Sequence, residues 1–176
     1  MRWLARNWLH IALMLAIAAA VHVASVFYLP DFIMIRVMAG MARAGGVNTM
    51  LHGVRATSAS RAVVRPSPDL LYSTCAYDLD KAGGRLRVHA SAMPHTYWSV
   101  SAFDARTNNF FVLDDRQAGR DAFDITLAGP GAAARPGDVR APTARGVILL
   151  RTLIDDDAHL SKFDAARRGA RCEPAG

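Results

Sequence analysis

Apolar and polar positions divide this chain into stretches with different periods. Between Arg6 and Asp31 there is no charged residue, and the run "LHIALMLAIAAAVHVASVFYLP" is apolar on every side. As a helix it is long enough to cross a hydrocarbon core of ~30 Å, so it predicts a transmembrane helix over residues 9–29. The next run, "DFIMIRVMAGMARAGG", places Phe32, Ile33, Ile35, Val37, Met38 and Met41 in a mostly apolar helix that Gly45 and Gly46 end. Asn48 is positioned to cap a second short helix, "TMLHGVRA", before the polar connector "TSASRAVVRPSPD".

From Leu71 the period becomes two, the signature of strands. "LYSTCAYDL" sets Leu71, Ser73, Cys75, Tyr77 and Leu79 on one face, and Tyr72, Thr74, Ala76 and Asp78 on the other. "KAGG" turns the chain into "RLRVHAS", a half-buried strand with Arg85, Arg87 and His89 on its wet side. "TYWSVSAF" alternates again, and "FFVLD" follows the polar stretch "DARTNN", which predicts a hairpin loop. Asn108 or Asn109 is expected at a left-handed position in that loop, with Asp104 or Thr107 bonding to loop amides. "FDITLAGPG" gives a further strand, "AAARPGDVRAPTA" an irregular loop, and "GVILLRTLI" a central strand buried on both faces. A C-terminal helix follows in "DDDAHLSKFDAARRG", with Leu160, Phe163 and Ala166 on one face and Gly169 as its stop. The expected division is an anchor at 1–30, juxtamembrane helices and connector at 31–64, and a β domain with a C-terminal helix at 65–176.

Composition sharpens the membrane reading. Of 176 residues, 52% are hydrophobic, which is high for a domain that meets only water. A cleaved signal peptide is the competing account, since Ala18, Ala20 and Ala24 are small enough for a cleavage site. The apolar run continues past them to Leu29, and Trp3, Trp8 and Tyr28 stand where interfacial aromatics belong, which favours a retained anchor. Arg2 and Arg6 before the span place the N-terminus in the cytoplasm and the body in the periplasm of a bacterial inner membrane. An even pair of cysteines, Cys75 and Cys172, permits one disulfide there, two free buried thiols being the alternative. The net charge of +6 is scattered, without the basic stripe and interleaved aromatics of a nucleic-acid binder.

The chain carries none of the common catalytic signatures, which argues against an enzyme. Its six histidines are dispersed, and only His89 and His95 are close in sequence, so no metal site is expected. Asp104, Thr107, Asn108 and Asn109 offer oxygen ligands of the kind calcium takes, but turn chemistry accounts for the same residues. Asp114 and Asp115 form an acid/base set with Asp104 only if the three are buried together.

In order, "RPSPDLLYSTCAYDL", "TYWSVSAFDARTNNFFVLDDR", "LAGPG", "APT" and "VILLRTLIDDDAHL" resemble the bacterial family known as domain of unknown function 1254, over about Arg65 to Ala170. The positions that match its shared pattern include Tyr72, Asp78, Tyr97, Ser99, Asp104, Thr107, Asn108, Asn109, Thr143 and Arg151. The fold this resemblance implies is mainly β, an immunoglobulin-like antiparallel β-sandwich. The chain departs from the family in having Thr96-Tyr97-Trp98 where members often carry Arg and paired Tyr, and Ala132 where they carry an aromatic. Longer members continue into a second β domain of the 1214 type. The resemblance implies no assigned activity. Two functions are therefore expected in competition. One is a membrane-anchored periplasmic binding or assembly module of the cell envelope, without cofactor, whose partner is a separately encoded 1214-type protein. The other is a small envelope hydrolase or carbohydrate-active protein using Asp104, Asp114 or Asp115, which requires those carboxylates to converge in a pocket.

Overall fold

The computed structural model describes residues 2–61, 65–119, 121–133 and 135–175. Helix α1 runs from Arg2 to Gly45 without interruption. The sequence suggested an anchor followed by a separate helix, but Pro30 lies inside one continuous element. Its missing N–H leaves only the Val26 carbonyl without that donor, a loss that water or headgroups at the end of an apolar span can make good. The helix stops where Gly46, at φ 87°, returns its N–H to the Ala42 carbonyl at 2.9 Å. That is the left-handed cap for which glycine is suited.

The second short helix expected after Asn48 is instead strand β1, Leu51–His52. Asn48 does not cap a helix because its side chain is committed elsewhere. Its Nδ2 donates to the Asp78 carbonyl at 2.9 Å and its Oδ1 accepts from the Asp78 N–H at 2.8 Å. This two-point clamp lays the following residues beside β2, Leu70–Asp78, with Leu51 opposite Thr74 and His52 opposite Ser73.

Then come β3, Arg85–Ala90; β4, Trp98–Asp104; β5, Asn109–Asp114; β6, Phe123–Ala128; β7, Val139–Arg140; and β8, Arg145–Leu153. A 3-10 turn, Asp157–His159, leads into α2, Leu160–Arg167, and the chain ends in β9, Arg171–Pro174. The first sheet has the order β1-β2-β8-β4-β5 and the second β7-β6-β3-β9; all pairings are antiparallel except β6 with β7. β8 is central, as its nearly continuous apolar run requires.

The two sheets share one core, to which Cys75, Tyr77, Val100, Leu150 and Ile148 contribute from the first and Leu86, Val88, Ile125 and Leu127 from the second. Each fully buried aliphatic side chain there contributes ~1.5–3 kcal/mol against its exposed state. Trp98 packs on Phe123 with ring centroids 5.3 Å apart. Cys75 and Cys172 form a disulfide that ties β2 of one sheet to β9 of the other, with Cα atoms 6.5 Å apart. A second, smaller cluster of Leu71, Ile154 and Phe163 seats α2.

Helix α1 also takes part in the fold. Beyond Pro30 it lies over one end of the outer face of the first sheet, where Ile35, Met38 and Ala42 approach Ala76 and Arg145, and Met34 is buried. The other end of that face stays partly open at Thr74, Leu149, Arg151 and Val112.

Candidate functional site

The hairpin loop between β4 and β5 is built around one carboxylate. Asp104 is buried, and its Oδ1 accepts from the N–H groups of Arg106 at 2.8 Å and Asn108 at 2.9 Å. Its Oδ2 accepts from Asn108 Nδ2 at 2.9 Å, so both oxygens face donors of their own loop. A carboxylate surrounded in this way is poorly placed to ligate calcium, which needs its oxygens free. The left-handed residue is Thr107, at φ 70°, and not Asn108 or Asn109. Asn108 is needed to bond Asp104, and Asn109 already pairs with Phe103 as the first residue of β5, so the positive φ falls on the residue before them. Thr143 stitches the loop to the start of β8, its Oγ1 accepting from the Ala105 N–H at 3.0 Å and donating to the Arg145 carbonyl at 2.6 Å.

Near this end, Gly146 is the residue opposite both Asp104 and Tyr77. A Cβ there would stand 2.1 Å from the Phe103 carbonyl and 2.5 Å from Tyr77 Oη, so only glycine fits. Burial pushes the Tyr77 phenol up to about 12. Asp78 closes the same end, with Oδ2 3.1 Å from Arg145 Nε.

At the opposite end of the sheet, strand register aligns four sequence-selected residues. Tyr72 pairs with Arg151, Arg151 with Ser99, and Ser99 with Asp114, so a single row crosses β2, β8, β4 and β5 on the outer face. Arg151 donates to Ser101 Oγ at 3.3 Å, but its Nε and the Ser99 Oγ are buried without a protein partner. Among the described residues no carboxylate pairs with Arg151. Tyr72 Oη accepts from the Ser67 N–H at 3.0 Å. Asp114 is occupied by its own turn, accepting from the N–H groups of Arg116 and Gln117. Tyr97 and Asp115 line a small cavity of about 250 Å³ beside this row, together with His95 and Arg116.

Asp104 therefore stands at one end of β4, and Asp114 and Asp115 at the other. The five residue steps from Ser99 to Asp104 span ~17 Å of strand, so the three carboxylates do not converge as the hydrolase reading requires. His89 pairs with Glu173 at 3.1 Å and His95 lies 3.5 Å from Asp121. Among the described residues no three His, Cys, Asp or Glu side chains are grouped to hold a metal ion.

One polar centre is absent from the sequence-selected residues. Arg167, fully buried, donates to the Tyr72 carbonyl and to Ser73 Oγ, both at 2.9 Å, and also to the Gly53 carbonyl and Asp164. His52 Nδ1 lies 2.9 Å from the same Ser73 oxygen. Burial, then the charges of Arg167, Arg168 and Arg171, lower the His52 pKa to about 4. Burial opposes the charge of Asp164, yet Arg168 and Arg167 together hold its carboxyl below the ordinary value. The signal for Arg167 was its i+4 spacing from Phe163, which puts it on the buried face of α2.

These features define a two-sheet β domain carried on a long apolar helix, with a polar row on the outer face of one sheet. The chain belongs to the family described as "Protein of unknown function (DUF1254)", whose model matches residues 47–174. The match begins ahead of Arg65, where the sequence resemblance started, and so takes in Asn48 and β1. A crystal structure of the VPA0106 protein from Vibrio parahaemolyticus is similar over 84% of this chain, with a TM-score of 0.60 at 12% identity. That of an uncharacterised protein from Burkholderia cenocepacia is similar over 86%, with a TM-score of 0.50 at 18% identity. This chain spans 35% and 42% of those two chains, so the shared fold is a minority of each. No curated protein matches.

Proposed function

We propose that the protein is an inner-membrane-anchored binding or assembly module, with its N-terminus in the cytoplasm and its β domain in the periplasm. The observation that carries the binding role is the half-open outer face of the first sheet. Arg151 lies there without a carboxylate, beside the unpartnered Ser99 hydroxyl, while α1 covers only the other half. A half-buried guanidinium without a counter-charge is partly desolvated at a cost, which a partner supplying an anion would offset. A separately encoded 1214-type domain is the proposed occupant, since the solved relatives continue well beyond the part they share with this chain.

The disulfide between the sheets supports an oxidising compartment. The exposed apolar surface of α1 from Leu9 to Leu29 supports a lipid environment. The shared core of two mostly antiparallel sheets supports the immunoglobulin-like class of sandwich.

Two experiments test this reading. A reporter fused after the C-terminus is expected to be active only if it works in the periplasm; activity of a cytoplasmic reporter alone would refute the topology. Co-purification from native membranes is expected to recover a 1214-type protein with the wild type and much less with Arg151→Met. Equal recovery with both would remove Arg151 from the interface.

A further inference from the structure

We infer that the β4–β5 hairpin loop rests on the bilayer surface and binds phospholipid headgroups through Arg106; this depends on α1 being the membrane span proposed above. Leu29 is the last residue of the uncharged apolar run before Pro30, and Asp31 follows two residues later. At ~1.5 Å of rise per residue, Asp31 lies only ~3 Å beyond Leu29 along the helix. Arg106 Nε is 3.1 Å from Asp31 Oδ1. The headgroup layer on each side of a bilayer is ~5–7 Å thick, so the Arg106 guanidinium falls within it.

Besides that ion pair, apolar packing and hydrogen bonds hold the loop there. Met34 is buried, and Ile35, Met38 and Ala42 of α1 approach Ala76 and Arg145, so the helix and the sheet end form one packed unit. Asp104 and Thr143 fix the loop from inside. The domain is thus seated on the membrane and does not hang from a tether.

Arg106 has what a phosphate requires. It is exposed, and only its Nε is used by Asp31, which leaves the two terminal nitrogens free to donate to a phosphate. Thr107, Asn108 and Asn109 beside it are exposed and uncharged, and the loop's carboxylate, Asp104, is buried and fully engaged by loop donors, so the loop presents no exposed carboxylate to a headgroup phosphate. Tyr28, exposed just inside the same boundary, is at the depth where aromatic residues line membrane interfaces.

The test uses the full-length protein in phosphatidylcholine vesicles, with a fluorophore attached at Thr107→Cys or, at the far end of the hairpin, at Arg116→Cys. Lipids spin-labelled on the headgroup act as quenchers. Quenching is expected to be several-fold stronger at position 107 than at 116, to fall when Arg106→Ala is added, and to persist with Arg106→Lys. Inorganic phosphate in solution is expected not to reverse it. If the protein resists alkaline extraction from the vesicles but both positions are quenched equally, this inference is overturned while the anchor stands. If alkali extracts the protein, the anchor reading fails, and the inference with it.

Discussion

His52 Nδ1 lies 2.9 Å from Ser73 Oγ, and the same oxygen receives a hydrogen bond from Arg167. The Ser73 oxygen accepts from Arg167, which can only donate, and shares its second hydrogen bond with His52 in a direction set by the imidazole tautomer. The His52 pKa is about 4 in the folded protein against 6.5 for an unperturbed histidine. Between those values the unfolded chain binds more protons than the native one, so stability is full above pH 6.5 and declines as pH falls toward 4. His52 is only half-buried, so solvent screening limits the loss to ~1–2 kcal/mol. Urea melts of wild type and His52→Gln at pH 7 and pH 5 check this. The wild type is expected to lose more on acidification, and parallel losses would count against the His52 assignment.

The Asp104 loop predicts two opposite effects. Asp104→Ala leaves the N–H groups of Arg106 and Asn108 without their acceptor, and is expected to cost ~2–3 kcal/mol. Thr107→Gly removes the strain of a β-branched residue at φ 70°, and is expected to gain ~1 kcal/mol. Calcium is expected to leave the wild-type melting temperature unchanged. A calcium-dependent rise that Asp104→Asn abolishes would show that the loop is a cation site after all.

The disulfide closes a separation of 97 residues between the two sheets. On the chain-entropy account a loop of that size is worth ~4–5 kcal/mol. The double variant Cys75→Ala, Cys172→Ala is expected to lose most of that in equilibrium unfolding, and reductant is expected to shift the wild type toward it. A double variant as stable as oxidised wild type would mean the bridge adds nothing to the packed sheets.

Where structure follows from local pattern, the sequence was readable. β2, β3, β4 and β8 alternate or run apolar as half-buried and central strands do, and the β4–β5 hairpin is marked by its polar loop. What escaped depends on distant partners. β1 exists because Asn48 clamps Asp78, thirty residues on, and the short β9 exists because β3 offers an edge at Val88 and His89. The row of Tyr72, Arg151, Ser99 and Asp114 follows from β8 entering between β2 and β4, a pairing across some eighty residues that no local period reveals. The separation of Asp104 from Asp114 was in principle legible, because the two ends of a hairpin strand cannot meet.

Two arginines in this domain differ in how much of the fold each one holds together. Arg167 has no exposed surface and joins α2 to three groups on or beside β1 and β2, the Gly53 and Tyr72 carbonyls and Ser73 Oγ, while also pairing with Asp164. Arg167→Met removes every one of these bonds, although the Tyr72 carbonyl keeps the Gly53 N–H, Ser73 keeps His52 and Asp164 keeps Arg168, so it is expected to cost ~2–4 kcal/mol. Arg167→Lys keeps the charge, but an ammonium lacks the planar fork that reaches all four partners, so an intermediate loss is expected. Arg151, by contrast, makes one side-chain hydrogen bond, of 3.3 Å, and its Nε, like that of Arg167, is buried with no partner. Arg151→Met therefore exchanges a poorly compensated charge for an apolar chain on a half-open sheet, and stability is expected to stay within ~1 kcal/mol of wild type or to rise. Urea midpoints with unchanged slopes measure both. If Arg151→Met unfolds as readily as Arg167→Met, Arg151 is a structural residue, and its missing counter-charge says nothing about a partner.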